Sequence, residues 1–160
     1  SMLTTYYNAE QTIDVFNILD YTLNVDSSKL KFAKFFSNSL IYNVDGQFPT
    51  MSEDKTSLIV SKSISKITTE DKEQFAVYRL GQMPYEIKNI SSKNPISINQ
   101  FSGFEITAEG VNKSSQEVEH LYQVILFNND FYYIFFGTTN DLSDNSINEL
   151  KEVLRTFKLK

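Results

Sequence analysis

The densest apolar pattern in the chain runs from Val118 to Gly137. Val118–Phe127 is rich in β-branched and aromatic strand formers, as is Phe131–Gly137. Between them stand Asn128, Asn129 and Asp130, residues that tolerate positive φ and favour a tight hairpin turn. Side chains alternate across a strand, so Tyr122, Val124 and Leu126 point one way and Leu121, Ile125 and Phe127 the other. Likewise Phe131, Tyr133 and Phe135 oppose Tyr132, Ile134 and Phe136. Both faces of this hairpin are apolar, which predicts a central place in a sheet covered on both sides.

Three segments carry helical spacing that could supply the cover. After a cap at Ser143 or Asp144, Ile147, Leu150, Val153, Leu154 and Phe157 follow a 3.6-residue period, with Lys151 and Arg155 late, as the helix dipole favours. A second helix is expected from Thr68 or Thr69, with Glu70 and Asp71 in its first turn. Its stripe is Phe75, Tyr78 and either Val77 or Leu80, and it stops at Gly81 ahead of Pro84. A third is expected over Ser28–Phe36, from the spacing of Leu30, Phe32, Phe35 and Phe36.

Further strands are expected at Leu40–Val44, Ser57–Ile64, Pro95–Phe101 and Phe104–Gly110, with Asp45-Gly46 and Ser102-Gly103 as turns and Phe48–Asp54 as loop. Near the N-terminus, Tyr21–Asp26 alternates as a strand, while Ile13, Phe16, Leu19 and Leu23 fit a helix stripe. Residues 2–26 are thus either part of the sheet or an arm wrapped on it. Consecutive strands joined by short turns describe an antiparallel meander, so the predicted class is α+β: a central antiparallel sheet with helices on both faces.

The composition narrows the function. The chain has 160 residues, the size of a single domain, with 41% hydrophobic and 14% aromatic content, too apolar for disorder. No apolar run approaches the ~20 residues of a membrane-spanning helix. There is no Cys, which excludes disulfides, thiol catalysis and Cys-ligated metal, and His120 is the one His. The net charge is −5, and the thirteen Lys and two Arg are dispersed, the densest group being Lys29, Lys31 and Lys34. That is no phosphate-neutralising footprint, so no nucleic-acid partner is expected. Ser1 precedes Met2, which marks Ser1 as a cloning remnant. No basic-then-apolar signal segment follows Met2. A cell-envelope protein trimmed at its start and a cytoplasmic protein both fit this beginning.

From Ser57 to Lys160 the chain is similar to the PsbP-like family. The resemblance lies in Gly103-Phe104-Glu105, Gly110, a long strand with Tyr122, the tight turn, Tyr132-Tyr133-Ile134, a helix and a closing Thr156-Phe157-Lys158. It implies an antiparallel sheet sandwiched between helices. It also implies a non-enzymatic accessory or binding role, since bacterial members include small cell-envelope lipoproteins. Tyr21–Asp26 departs from the family's opening strand, lacking its Gly and Pro, and the chain has no Trp. The resemblance supplies no functional residues.

Candidate chemistry is sparse. No Gly-rich phosphate loop and no Gly-x-Ser-x-Gly elbow is present. Asp141, Asp144 and Glu149 lie near a helix start, where capping explains them better than a calcium loop does. Glu117 and Glu119 share a strand face and are expected to be wet. No metal and no cofactor is expected. Phe75, Phe127, Phe131, Phe135, Phe136 and Phe157 suit a core. Tyr6 and Tyr7, Phe48 and Met51 in a Pro-containing loop, and Met83 and Tyr85 after a helix stop do not. Phe48, Met51, Met83 and Tyr85 are therefore the candidate surface for a protein or small-ligand partner. The leading expectation is a non-enzymatic binding module of the bacterial cell envelope. The alternatives are a small hydrolase or isomerase using His120 or Glu105 at a sheet end, and a cytoplasmic immunity-type protein that neutralises a partner.

Overall fold

In the computed structural model, residues 15–67 and 70–160 are described. Strands β1 (Tyr21–Thr22), β2 (Lys31–Phe36), β3 (Ser39–Asn43) and β4 (Ser57–Lys62) precede helix α1 (Lys72–Gly81). Then come β5 (Tyr85–Ile98), β6 (Phe101–Asn112), β7 (Val118–Asn128), β8 (Phe131–Thr139), helix α2 (Asn145–Leu154) and β9 (Lys158–Leu159). Seven strands form one sheet in the order β2-β3-β4-β8-β7-β6-β5, with every neighbour pair antiparallel. β1 and β9 pair separately, Tyr21 opposite Leu159. The class is α+β, with a large antiparallel sheet and few helices.

The expected hairpin occupies the middle of the sheet. Asn129 adopts φ +57° in its turn, and Val124 pairs Phe135 while Ile125 pairs Ile134. Its two faces feed two separate apolar clusters. Tyr122, Val124, Leu126, Tyr133 and Phe135 join Leu40, Tyr42, Leu58 and Val60 with Ile147, Leu150, Val153 and Leu154 of α2. Leu121, Ile125, Phe127, Ile134 and Phe136 join Ile106 and Ala108 with Ala76 and Leu80 of α1. Phe157, fully buried, packs its ring against those of Tyr21, Phe101, Tyr133 and Phe135. Phe131 is only half-buried, with the Lys62 ammonium 6.0 Å from its ring centre.

Four expectations need correction. Ser28–Phe36 is not a helix; its last six residues, Lys31–Phe36, are strand β2. Phe32 opposes Tyr42 and Phe35 opposes Leu40, both facing one core, because the register shifts between Phe32 and Lys34. A bulge puts residues three apart on one face and so imitates helical spacing. Ser102-Gly103 is not a turn. The turn is Asn99-Gln100, with Asn99 at φ +55°, and Gly103 lies inside β6, where an added Cβ would overlap the Ile125 carbonyl. β5 begins at Tyr85, ten residues before the expected strand; Pro95 sits within it because β5 is a sheet edge. Finally, α1 begins at Lys72, with the Asp71 carboxylate accepting the Gln74 amide at 3.0 Å. It buries Ala76 and Leu80, while Tyr78 is exposed. Thr68 and Thr69 lie outside the described residues, as do Tyr6, Tyr7 and Ile13.

Candidate functional site

Sheet order brings together residues that the sequence keeps far apart. Asn43 opposes Ser57, which opposes Thr138, and Ile41 opposes Ile59, which opposes Phe136. Directly opposed residues share a face, so all of these lie on the face of the α1 cluster. α1, however, packs on β5, β6 and β7. Beside it a groove of about 450 Å³ opens over β3, β4 and the ends of β5 to β8. Ile41, Ile59, Phe48 and Pro49 form its apolar wall, and Tyr85, Asn112, Glu119 and Thr138 its polar floor. Its volume falls within the range of about 300–1,000 Å³ that small-molecule pockets span.

The loop from Val44 to Thr56 holds Phe48 over this groove, and local hydrogen bonds fix it at both ends. At its start, the Asn43 side-chain oxygen accepts the Gly46 amide at 2.7 Å, and its NH2 donates to the Gln47 carbonyl at 2.6 Å. Gly46 takes φ +67°, a conformation that favours glycine. The Asp45 carboxylate accepts the Gln47 amide, the Thr50 hydroxyl and the Met51 amide at 3.1, 2.8 and 2.8 Å. Desolvation works against these bonds, yet they hold Asp45 below the usual carboxylate range. At the loop's end, Asp54 accepts from Thr56 and pairs with Lys29 at 2.8 Å. The Asn140 side chain accepts the Lys55 amide and donates to the Glu53 carbonyl. The Lys34 ammonium sits 4.9 Å from the Phe48 ring centre and steadies the ring from outside.

The floor centres on Glu119. Its side chain is 5% exposed, accepts the Tyr85 hydroxyl at 3.2 Å and accepts the Asn112 NH2 at 2.9 Å. Burial, with the Glu119 charge added, pushes the Tyr85 phenol up to about 12, so it stays a donor at neutral pH. Among the described residues no cation lies within ion-pair distance of Glu119.

The four residues singled out by sequence separate here. Phe48 and Tyr85 line the groove together, though Tyr85 is buried rather than exposed. Met51 is exposed on the outside of the loop, and Met83 packs into the α1 cluster. Glu119, expected to be wet, is the residue sequence reasoning missed. The signal was present: counting back by twos from Leu121 puts Glu119 on a buried face.

On the other face, the His120 Nε2 lies 4.0 Å from a Glu109 oxygen, in a polar depression also lined by Lys151. Glu105 lines an adjoining depression and accepts the Tyr122 hydroxyl. Asp141 spends its carboxylate on Ser143 and Ser146 at the start of α2, and their hydrogen bonds draw it down to about 2. Asp144 is the N-cap residue but makes no side-chain cap bond. No helix among the described residues is long and apolar enough to cross a membrane.

No family model and no curated protein sequence matches the chain. Solved structures do. A Bacteroides thetaiotaomicron protein superposes with a TM-score of 0.54 at 10% identity, over 88% of this chain and 45% of that one. This chain thus spans under half of that protein's length. A Pseudomonas aeruginosa protein of unknown function gives a TM-score of 0.56 at 13% identity, over 80% of this chain and 87% of that one. The solution structure of cyanobacterial PsbP from Synechocystis gives 0.50 at 12% identity, over 89% and 94%. The fold therefore resembles PsbP, as the strand and turn motifs of the sequence implied.

Proposed function

We propose that this protein is a non-enzymatic binding module that holds a small ligand in the groove between the Phe48 loop and Glu119, on a PsbP-like sandwich. In this reading α1 and α2 cover opposite faces of the sheet, each over part of its width. The support is the separation of their two clusters by strand parity. The stretch that α1 leaves bare is where the ligand sits.

One observation carries the reading. Phe48, more than half exposed, is held by a pinned loop beside Ile41 and Ile59, with buried hydrogen-bonding groups directly below. Beyond the Lys34 contact, much of the ring's apolar area stays in water. A ligand that fills the groove covers that area. The place of work we propose is the bacterial cell envelope, as the resemblance to PsbP-like lipoproteins suggests. Fractionation of the native host should recover the protein with the envelope; recovery from the cytosol alone would contradict this.

The groove itself is tested by fluorescence. The chain has no Trp, so Phe48→Trp creates a single reporter at the rim. Titration with a neutral apolar solute such as hexanol should blue-shift its emission along a saturable curve, and the added change Ile59→Ser should abolish the response. An unsaturable response, or one indifferent to Ile59, would overturn the reading.

A further inference from the structure

We infer that the ligand of this groove is a small molecule carrying an ammonium group on an apolar body, the ammonium resting against Glu119. This rests on the reading of the groove as a ligand site and names what fills it. A carboxylate offers about four acceptor positions, and neutral donors from Tyr85 and Asn112 take two of those on Glu119. A charge removed from water is costly unless an opposite charge replaces the hydration. Glu119 is 5% exposed, and no described cation lies within ion-pair distance of it.

The rest of the lining is consistent in sign. Glu117 adds a second carboxylate; Lys55, exposed, is the one cation among the described lining residues, and the Lys34 ammonium stands against the Phe48 ring without lining the groove. The two carboxylates stand at the Tyr85 end of the lining, beside an apolar wall of Ile41, Phe48 and Ile59, and over the described lining residues alone the balance is one net negative charge. An amine with a short hydrocarbon body matches both parts, whereas a carboxylate ligand would meet like charge.

The occupant is small rather than an extended peptide. A strand-forming peptide needs a free sheet edge, and both edges are guarded. β2 is short, bulged and carries Lys31 and Lys34; β5 has two register shifts with Lys88, Lys93 and Pro95. The cavity of about 450 Å³ takes one compact group.

Calorimetric titration with hexylamine, hexanol and hexanoate of equal chain length tests this at pH 7. Hexylamine is expected to bind about tenfold tighter than hexanol, and hexanoate weakest. Glu119→Gln should remove the preference for hexylamine while leaving hexanol unchanged. If that variant fails to fold, Tyr85→Phe gives the second arm: removing a donor to Glu119 should widen the preference. Equal binding of hexylamine and hexanol to the native protein would overturn the inference and spare the groove. Binding of none of the three would overturn the groove reading itself. A lysine tripeptide that bound tighter than hexylamine would overturn the small-molecule assignment.

Discussion

Gly103 decides whether β6 and β7 can pair where they do. An added Cβ there would overlap the Ile125 carbonyl, a backbone atom in a central strand that cannot swing away. Gly103→Ala is expected to lower stability by at least the upper end of the about 1–3 kcal/mol typical of overpacking. Urea denaturation checks this, and an unchanged midpoint would mean the strands separate at no cost. Asp45 acts at the same scale on the loop. Its folded pKa lies below the ordinary value of 3.8, so its hold on the loop is complete above that pH. The hold is lost as pH falls through the lowered value. Ligand affinity should therefore decline below about pH 4, and Asp45→Asn should flatten that limb of the pH profile while weakening binding at neutral pH. These two roles differ in how well the sequence shows them. Gly103 looks like a turn glycine beside Ser102, because a close backbone approach leaves no local mark. Asp45-Gly46 was legible as a turn because the pair carries its own turn chemistry.

Among the elements, the β7–β8 hairpin was the most legible, since two runs of strand formers, apolar on both faces and joined by Asn128-Asn129-Asp130, admit one arrangement. Leu121, Ile125 and Phe127 do lie on the opposite core from Tyr122, Val124 and Leu126. α2 was legible for the same reason, with Ile147, Leu150, Val153 and Leu154 all buried. β2 was not. Its bulge places Phe32 and Phe35 on one face, and spacing alone cannot tell a bulged strand from a helical turn. The first ten residues of β5 were missed because an edge strand with polar exposed positions has no alternation to read. Such an element is held by its pairing with β6, which runs over its whole length apart from two register shifts. Removing Pro95 should therefore leave the fold intact: Pro95→Thr is expected to change stability by less than about 0.5 kcal/mol, the range of ordinary surface substitutions. A larger loss on denaturation would show that the proline shapes the strand.

For the whole molecule, the proposed function rests on sheet order rather than on any motif. The groove draws on β3 to β8 and on residues from Ile41 to Thr138. Two of its members, Phe48 and Tyr85, stood out in sequence as aromatics next to prolines. Glu119 did not stand out, because an acid near a strand end reads as wet unless its parity with Leu121 is followed to the buried face. The same faces separate this groove from the polar depression around His120, Glu109 and Lys151, which lies against α2. That separation makes the location of binding decisive. The most direct measurement is an amide chemical-shift map of the native protein titrated with hexylamine. The largest shifts are predicted at Ile41, Phe48, Ile59, Glu119 and Thr138, saturating together with one dissociation constant. Shifts concentrated instead around His120 and Lys151, or spread over the surface without saturation, would contradict the account.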